Sequence, residues 1–469
     1  MPPDHTPPIT REETAAKLKR FDRPGPRYTS YPTAVEFDEA VGLEHGLGRL
    51  AEADAHRDLP FSVYFHLPFC EERCLYCACH VVITPHKDRA APYLDFLKGE
   101  MDLLAERLPN RRKVSQLHLG GGTPTYYTPE QLDDLLGHFF GHFEPAAKPE
   151  FAVEVDPRVT SLEHLDALSS HGFNRISFGV QDFTPEVQRE IHRVQSVEQT
   201  AHLMEGARAR GFGGINVDLI YGLPLQTLET FERSIETVID MGADRAAVYS
   251  FAWVPWIRGH QRGIDRDKLP DRDLKFELFS MARERFLAAG YVAIGMDHFA
   301  KATDELALAK EDGRLWRNFQ GYAVEPTDDV LGLGISSIGD VRGSMLQNTK
   351  KLSHYGRAIR AGNLPFERGI LRTPEDLMHG AVIQELMCNG SVDVTAFEAR
   401  HALRFAEYFA RDLKELEGVA AEGLVEVTSE RIRATPDGEL FLRNIAICFD
   451  THWREKHASS DRPIFSQTV

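Results

Sequence analysis

Between residues 61 and 251 short β-rich runs alternate with longer helical ones six times over, a pattern that few folds accept. The strand candidates are Phe61 to His66, Val114 to Leu119, Phe151 to Val155, Arg175 to Gly179, Ile215 to Ile220 and Ala246 to Phe251. Between them Tyr93 to Arg107, Pro129 to Phe140, Val197 to Arg210 and Leu228 to Met241 carry apolar residues three and four apart, the spacing of one helix face. Chain-adjacent βα units with right-handed crossovers build a parallel sheet that curls toward a barrel. Six units predict an incomplete (βα)6 barrel, an α/β fold whose chemistry sits at the C-terminal ends of its strands.

The flanks read differently. Residues 1 to 60 look irregular, and three prolines between Arg23 and Pro32 make that stretch an extended arm rather than a helix interior. Beyond about 365, helical runs near 374–388, 393–400 and 404–418 precede two short β runs, Leu424 to Val427 and Ile432 to Ala434, the texture of a small winged-helix unit. The expected division is an arm (1–55), a barrel with its extension (56–360) and a mostly helical C-terminal part (361–469) acting as a lid. Winged helices often bind DNA, but residues 361–469 hold 12 Lys+Arg against 18 Asp+Glu, and the whole chain has a net charge of −17. Phosphate contacts need clustered cations, so nucleic acid is not an expected partner. No apolar run approaches the ~18 residues of a membrane helix, and the N-terminus lacks a basic and then apolar leader, so a soluble, cytoplasmic protein is expected.

Four of the six cysteines, Cys70, Cys74, Cys77 and Cys79, fall within ten positions just after the first strand. Without an export signal they read as metal-binding or catalytic rather than as a disulfide framework. Thiolates spaced by four and three suit an iron–sulfur cluster or zinc; structural zinc usually takes a second, separated knuckle, and none follows. Three cysteines in eight residues hold three irons of a [4Fe–4S] cluster and leave the fourth iron without a protein thiolate. The expected ligands are Cys70, Cys74 and Cys77. A CxxxCxxC triad after strand one of a βα barrel resembles the radical S-adenosylmethionine (SAM) enzymes. That resemblance implies SAM on the open iron and a 5′-deoxyadenosyl radical that abstracts hydrogen from substrate.

Gly120-Gly121-Gly122-Thr123-Pro124-Thr125 follows the second strand, where glycines let backbone approach a ligand and expose its amides and carbonyls. Glu154 ends the third strand, and Gln181, Arg193, Asp218 and Ala252 lie at or beyond strands four, five and six. Polar residues at successive strand ends converge on one cavity. Gln181, Arg193 and Asp218 lie on strands four and five and beyond, away from the cysteine loop on strand one, so variants there are expected to keep iron yet lose turnover.

Gly25 to Thr33 (GPRYTSYPT), the CxxxCxxCxC segment, GGGTPT, EVDPR, GVQDF, NVDLIYGLP, GMDHFA at 295–300, Asn318 to Tyr322 and Gly334 to Ile338 run in order over most of the chain. Together they resemble the oxygen-independent coproporphyrinogen III oxidases of haem synthesis. In that family two SAM molecules bind side by side. The resemblance implies Tyr64, Tyr76, Gly121, Glu154 and Ile338 around the cluster-bound SAM, Gly122, Thr123, Gln181, Arg193, Asp218 and Ala252 around the second, and Phe319 and Gln320, with Tyr64, near the reacting groups. Cys79 is implied as a companion and not a cluster ligand. The implied reaction is oxidative decarboxylation of two propionates of coproporphyrinogen III to vinyl groups, giving protoporphyrinogen IX, by a monomer fed by an electron donor. A haem-binding or haem-transfer protein of related sequence is the other reading; its group typically lacks the tyrosine-bearing arm and the Cys79 companion.

Overall fold

The computed structural model describes Lys17, Arg20, Phe21 and residues 23–457 except 325 and 328; the start of the predicted arm and the last twelve residues of the C-terminal part lie outside them. All six expected strands form: β1 (Phe61–Leu67), β2 (Lys113–Gly121), β3 (Glu144–Val155), β4 (Arg175–Gln181), β5 (Gly214–Tyr221) and β6 (Arg245–Ser250). They pair in parallel and in chain order. The third begins seven residues before the expected Phe151, because Pro145 and Pro149 look like strand breakers in sequence. The ladder accommodates them where its register slips between Val114 and Gln116.

The sheet does not close. Past β6 come β7 (Tyr291–Ile294) and β8 (His298–Lys301), with β8 antiparallel to β6. On the other edge β9 (Val330–Leu333) joins β1 in parallel, and β10 (Ile338–Val341), β11 (Ser344–Asn348) and β12 (Phe366–Leu371) continue antiparallel. One twelve-stranded sheet results, with an incomplete (βα)6 barrel at its centre. Helices α1 (Ala91–Arg107), α2 (Pro129–His142), α3 (Leu162–Ser170), α4 (Val197–Ala209) and α5 (Leu228–Asp240) cover its outer face. In α2 a Thr128/Gln131 capping box and Pro129 set the start, and Leu132, Leu135, Leu136 and Phe139 bury one stripe.

Residues 1 to 60 are not irregular throughout. Leu43–Asp54 is a helix, with Leu50 and Ala53 buried and Leu43 and Leu47 packed beside them. Gly46 and Gly48 disguise it in the sequence. Gly46 is required there, since a Cβ would stand 2.3 Å from the Phe366 ring. The arm before it belongs to the C-terminal core: Phe21, Tyr28 and Tyr31 are buried among residues 382–449. Tyr28 donates to Asp450 at 2.9 Å, and the Arg443 Nε donates to the Pro26 carbonyl at 2.9 Å. The two short C-terminal β runs form, joined by a third strand, Ser391–Asp393, too short to declare itself in sequence.

Candidate active site

Buried parallel strands usually read as continuous apolar runs, but here each central strand is polar on one side. Gln116 and His118, Glu150 and Glu154, Arg175 and Ser177, and Asn216 and Asp218 alternate with buried apolar residues and line the barrel interior. Above them, at the strand C-termini, opens a cavity of about 1210 Å³. Cys70, Cys74, Tyr76, Cys77, Gly121, Gly122, Thr123, Glu154, Gln181, Arg193, Asp218 and Ala252 all line it.

The cysteine loop is pinned from both sides. The ring nitrogens and amides of the loop after β6 reach it, with His260 Nε2 2.8 Å from the Cys77 carbonyl and Gln261 Nε2 donating to the Tyr76 carbonyl at 3.1 Å. The Leu75 N–H donates to the Ile191 carbonyl at 3.0 Å. Cys70 lies 3.6 Å from the Thr123 hydroxyl, and burial pushes its thiol up to about 12. Cys77 is hydrogen-bonded by Cys79 and lowered to about 6, with Arg193 and Arg73 assisting. Cys79 itself is exposed.

Two amides of the three-glycine turn are occupied within the chain. The Gly122 N–H donates to the Leu67 carbonyl at 2.9 Å and the Thr123 N–H to the Phe69 carbonyl at 3.0 Å, so both are used in holding the segment that leads into the cysteines. What the turn supplies at these positions is closeness. A Cβ at Gly122 would be 2.6 Å from the Pro68 carbonyl, and Gly121, at φ +113°, would place one 2.7 Å from the His66 ring.

Arg193 is not remote from the cysteines. Its Nη1 lies 3.6 Å from the Cys74 sulfur and donates to Asp156 at 2.9 Å, while its Nε donates to the Gly179 carbonyl at 3.2 Å. Arg158 does likewise, 2.7 Å from Asp156 and 3.6 Å from Cys74. Strand position misled because the segment after β4 folds back over the cysteine loop. Asp156 is nearly inaccessible; burial raises its carboxyl, but the two guanidiniums outweigh that and hold it below the usual range. Replacing Arg193 by Met leaves a buried carboxylate half-paired, and we expect a loss of about 3 kcal/mol or more in unfolding free energy. Anaerobic denaturant unfolding measures this, and iron content should fall with it because Cys74 loses one of its two positive neighbours.

Glu154 faces the cavity and is 3.0 Å from His118 Nε2. Burial pushes its carboxyl up, but His118 and the Gly121 N–H overcome this and keep it below the ordinary value. Asp218 accepts from Ser177 at 3.0 Å and from Asn216 at 2.7 Å. Burial and then the Glu154 charge lift its carboxyl to about 6.

Tyr64 stands one layer behind, its hydroxyl 3.1 Å from His66 Nδ1 and its ring stacked on His118. Phe319, Gln320 and Ile338 do not line the large cavity. They border a smaller one of about 190 Å³ against Tyr28 to Tyr31 of the arm. Gln320 also reaches the barrel interior, which shares Glu154, Ser177, Asp218 and Tyr249 with the large cavity. His118, Ser177, Asn216, Asp156, Arg158 and Arg27 were not singled out in sequence. The period-two polar pattern in the strands marks the first three; Arg27 enters the cavity wall from the arm, where it meets Asp297 at 3.0 Å.

The residues fit an iron–sulfur cluster with SAM: three thiols on one pinned loop, a turn from which side chains are excluded, and space beside both. Residues 64–238 match the Radical SAM superfamily and 373–441 the HemN C-terminal domain. The Radical SAM match implies a [4Fe–4S] cluster and SAM. The oxygen-independent coproporphyrinogen III oxidase of Escherichia coli (strain K12) is 41% identical over 441 residues, 94% of this chain and 96% of that one. The protein of that name from Helicobacter pylori is 40% identical over 447 residues, 94% and 98% of the two chains. The solved structure described as coproporphyrinogen III oxidase (HemN) from Escherichia coli, a radical SAM enzyme, superposes with a TM-score of 0.88 over 93% of this chain and 98% of that one, at 41% identity. With that likeness along nearly its whole length, the chain belongs to the oxygen-independent coproporphyrinogen III oxidase family of radical SAM enzymes.

Proposed function

We propose that this enzyme converts two propionates of coproporphyrinogen III to vinyl groups, yielding protoporphyrinogen IX without oxygen. The observation that carries the reading is the single cavity of about 1210 Å³ whose wall joins the cysteine triad to Gln181, Arg193, Asp218 and Ala252. Cys70, Cys74 and Cys77 would hold the cluster. Bound there, cluster and SAM supply the hydrogen-abstracting oxidant. Each propionate gives up one β-hydrogen atom, CO2 and one electron, so an electron acceptor is needed as well as a donor.

The chain's own part is to bind and orient. Glu154, kept ionised by His118, offers a carboxylate beside the glycine turn, suited to the SAM ammonium group. Gly121 and Tyr76 flank it. The second polar set, with Gly122 and Thr123, is where a second SAM would sit, and Asp218 offers an acceptor for ribose hydroxyls. Tyr64 and Ile338 would complete the surroundings of the cluster-bound SAM, and Phe319 and Gln320, which border the arm cavity, would lie with Tyr64 near the reacting groups. The arm (1–55) and C-terminal part (361–469) would cover the mouth of the barrel (56–360) and exclude water; the arm tyrosines buried in the C-terminal core support that pairing. No described helix is long and apolar enough to cross a membrane. We read the protein as a cytoplasmic monomer drawing on an external electron donor.

The test is anaerobic turnover. With reconstituted cluster, a low-potential reductant, SAM and coproporphyrinogen III, the expected products are CO2, 5′-deoxyadenosine and, after reoxidation, a mono-decarboxylated and then a divinyl porphyrin by mass spectrometry. SAM cleavage with an intact tetrapyrrole and stoichiometric haem binding would instead make the chain a haem carrier.

A further inference from the structure

Three metal-ligand atoms converge within 4.8 Å of one another at a second place, on the outer face of the barrel away from the cysteine loop. His138 and His142 sit four residues apart on α2 and so share a face. Asp102 comes from the neighbouring α1. Both imidazole Nε2 atoms lie 2.8 Å from the same carboxylate oxygen, Asp102 Oδ1. The two rings are 5.2 Å apart between centroids and inclined at 72°.

An ordinary surface ion pair does not take this form. One turn earlier the same two helices carry a simple pair, Lys98 with Asp134. At 102/138/142 two imidazoles turn their Nε2 atoms to a single oxygen. We propose that Asp102, His138 and His142 form a binding site for a divalent first-row transition metal, with zinc as the reference ion. Two imidazoles and one carboxylate are a donor set suited to zinc, cobalt, nickel or copper. Tetrahedral coordination at zinc–ligand distances near 2.0–2.1 Å needs ligand atoms about 3.3 Å apart. Each imidazole–carboxylate separation, 2.8 Å, reaches that by opening a few tenths of an ångström, and the two imidazole ligand nitrogens lie within 4.8 Å of one another. The His138, His142 and Asp102 side chains are 31%, 34% and 50% exposed, which gives them that freedom and lets water complete the shell. The ion would tie α1 to α2, the helices that follow the cysteine loop and the glycine turn, and ligand linkage would stabilise that pair.

The experiment uses protein carrying its iron–sulfur cluster, so that the cysteine thiolates are occupied, and titrates Zn2+ and then Co2+ anaerobically. Expected are one Zn2+ per chain at micromolar affinity, unchanged iron content, and a Co2+ spectrum of nitrogen and oxygen ligation. The His138→Gln/His142→Gln double variant should keep turnover and weaken binding by at least the roughly ten- to hundredfold typical of losing a mere outer-shell partner. Asp102→Asn should weaken it as well. The proposal is overturned if the double variant binds equally well, if thiolate charge-transfer bands appear with Co2+, or if iron leaves as zinc enters.

Discussion

Serine in place of Cys70, Cys74 or Cys77 is expected to abolish turnover and to drop iron and sulfide from about four each per chain toward zero. The visible absorbance of the cluster should vanish with them. Cys79→Ala should keep its iron. The contrast is a demanding one, because Cys79 is hydrogen-bonded to Cys77 and all four thiols line or border one loop. Position in the structure separates them less than spacing does: Cys74 is buried, Cys70 and Cys77 are half-buried, and Cys79 is exposed. A fourth thiolate on the cluster would close the iron that SAM needs. Equal iron loss in the Cys79 variant would therefore overturn both the ligand assignment and the chemistry built on it. Modest loss with turnover retained would fit a neighbour that steadies Cys77 by hydrogen bonding.

The central sheet was legible because its periodicity is local: each strand declares itself over five or six residues, and each helix over three or four turns. What could not be read is what depends on distant partners. β9 pairs with β1 across 268 residues, Ser62 opposite Val330, and four residues of strand carry too little pattern to announce that. The helix Leu43–Asp54 was hidden by two glycines, one of them demanded by Phe366 from the far end of the sheet. The site divides the same way. The cysteine triad and glycine turn are contiguous motifs, and the chain brings them together because adjacent strands β1 and β2 lead into them. Arg193 on Cys74 is a product of loop folding that no spacing encodes. Phe319, Gln320 and Ile338 border a neighbouring cavity instead of the cysteine-lined one, a separation visible only once the arm packs against them.

The other large effect is expected at Asp218. Its carboxyl ionises near about 6, raised first by burial and then by Glu154, and opposed by His298, Ser177 and Asn216. If the carboxylate accepts from a second SAM, affinity for that molecule should climb as pH rises through about 6 and then level. Asp218→Asn should hold binding at its low-pH level throughout and cut turnover by about a hundredfold, while iron stays full. Stability should move the other way. A folded value above the ordinary 3.8 means that the folded state binds the proton more tightly, so the contribution is complete below about 3.8 and is lost as pH rises through about 6. At neutral pH the wild type then carries a buried charge that the amide does not, a penalty of about 1–2 kcal/mol after allowing for the open cavity beside it. The asparagine variant is accordingly expected to unfold at the same or higher denaturant concentration while losing activity, a signature that damage to the barrel interior would not produce. Unchanged SAM stoichiometry together with unchanged turnover would leave Asp218 as a partner of Ser177 and Asn216 alone.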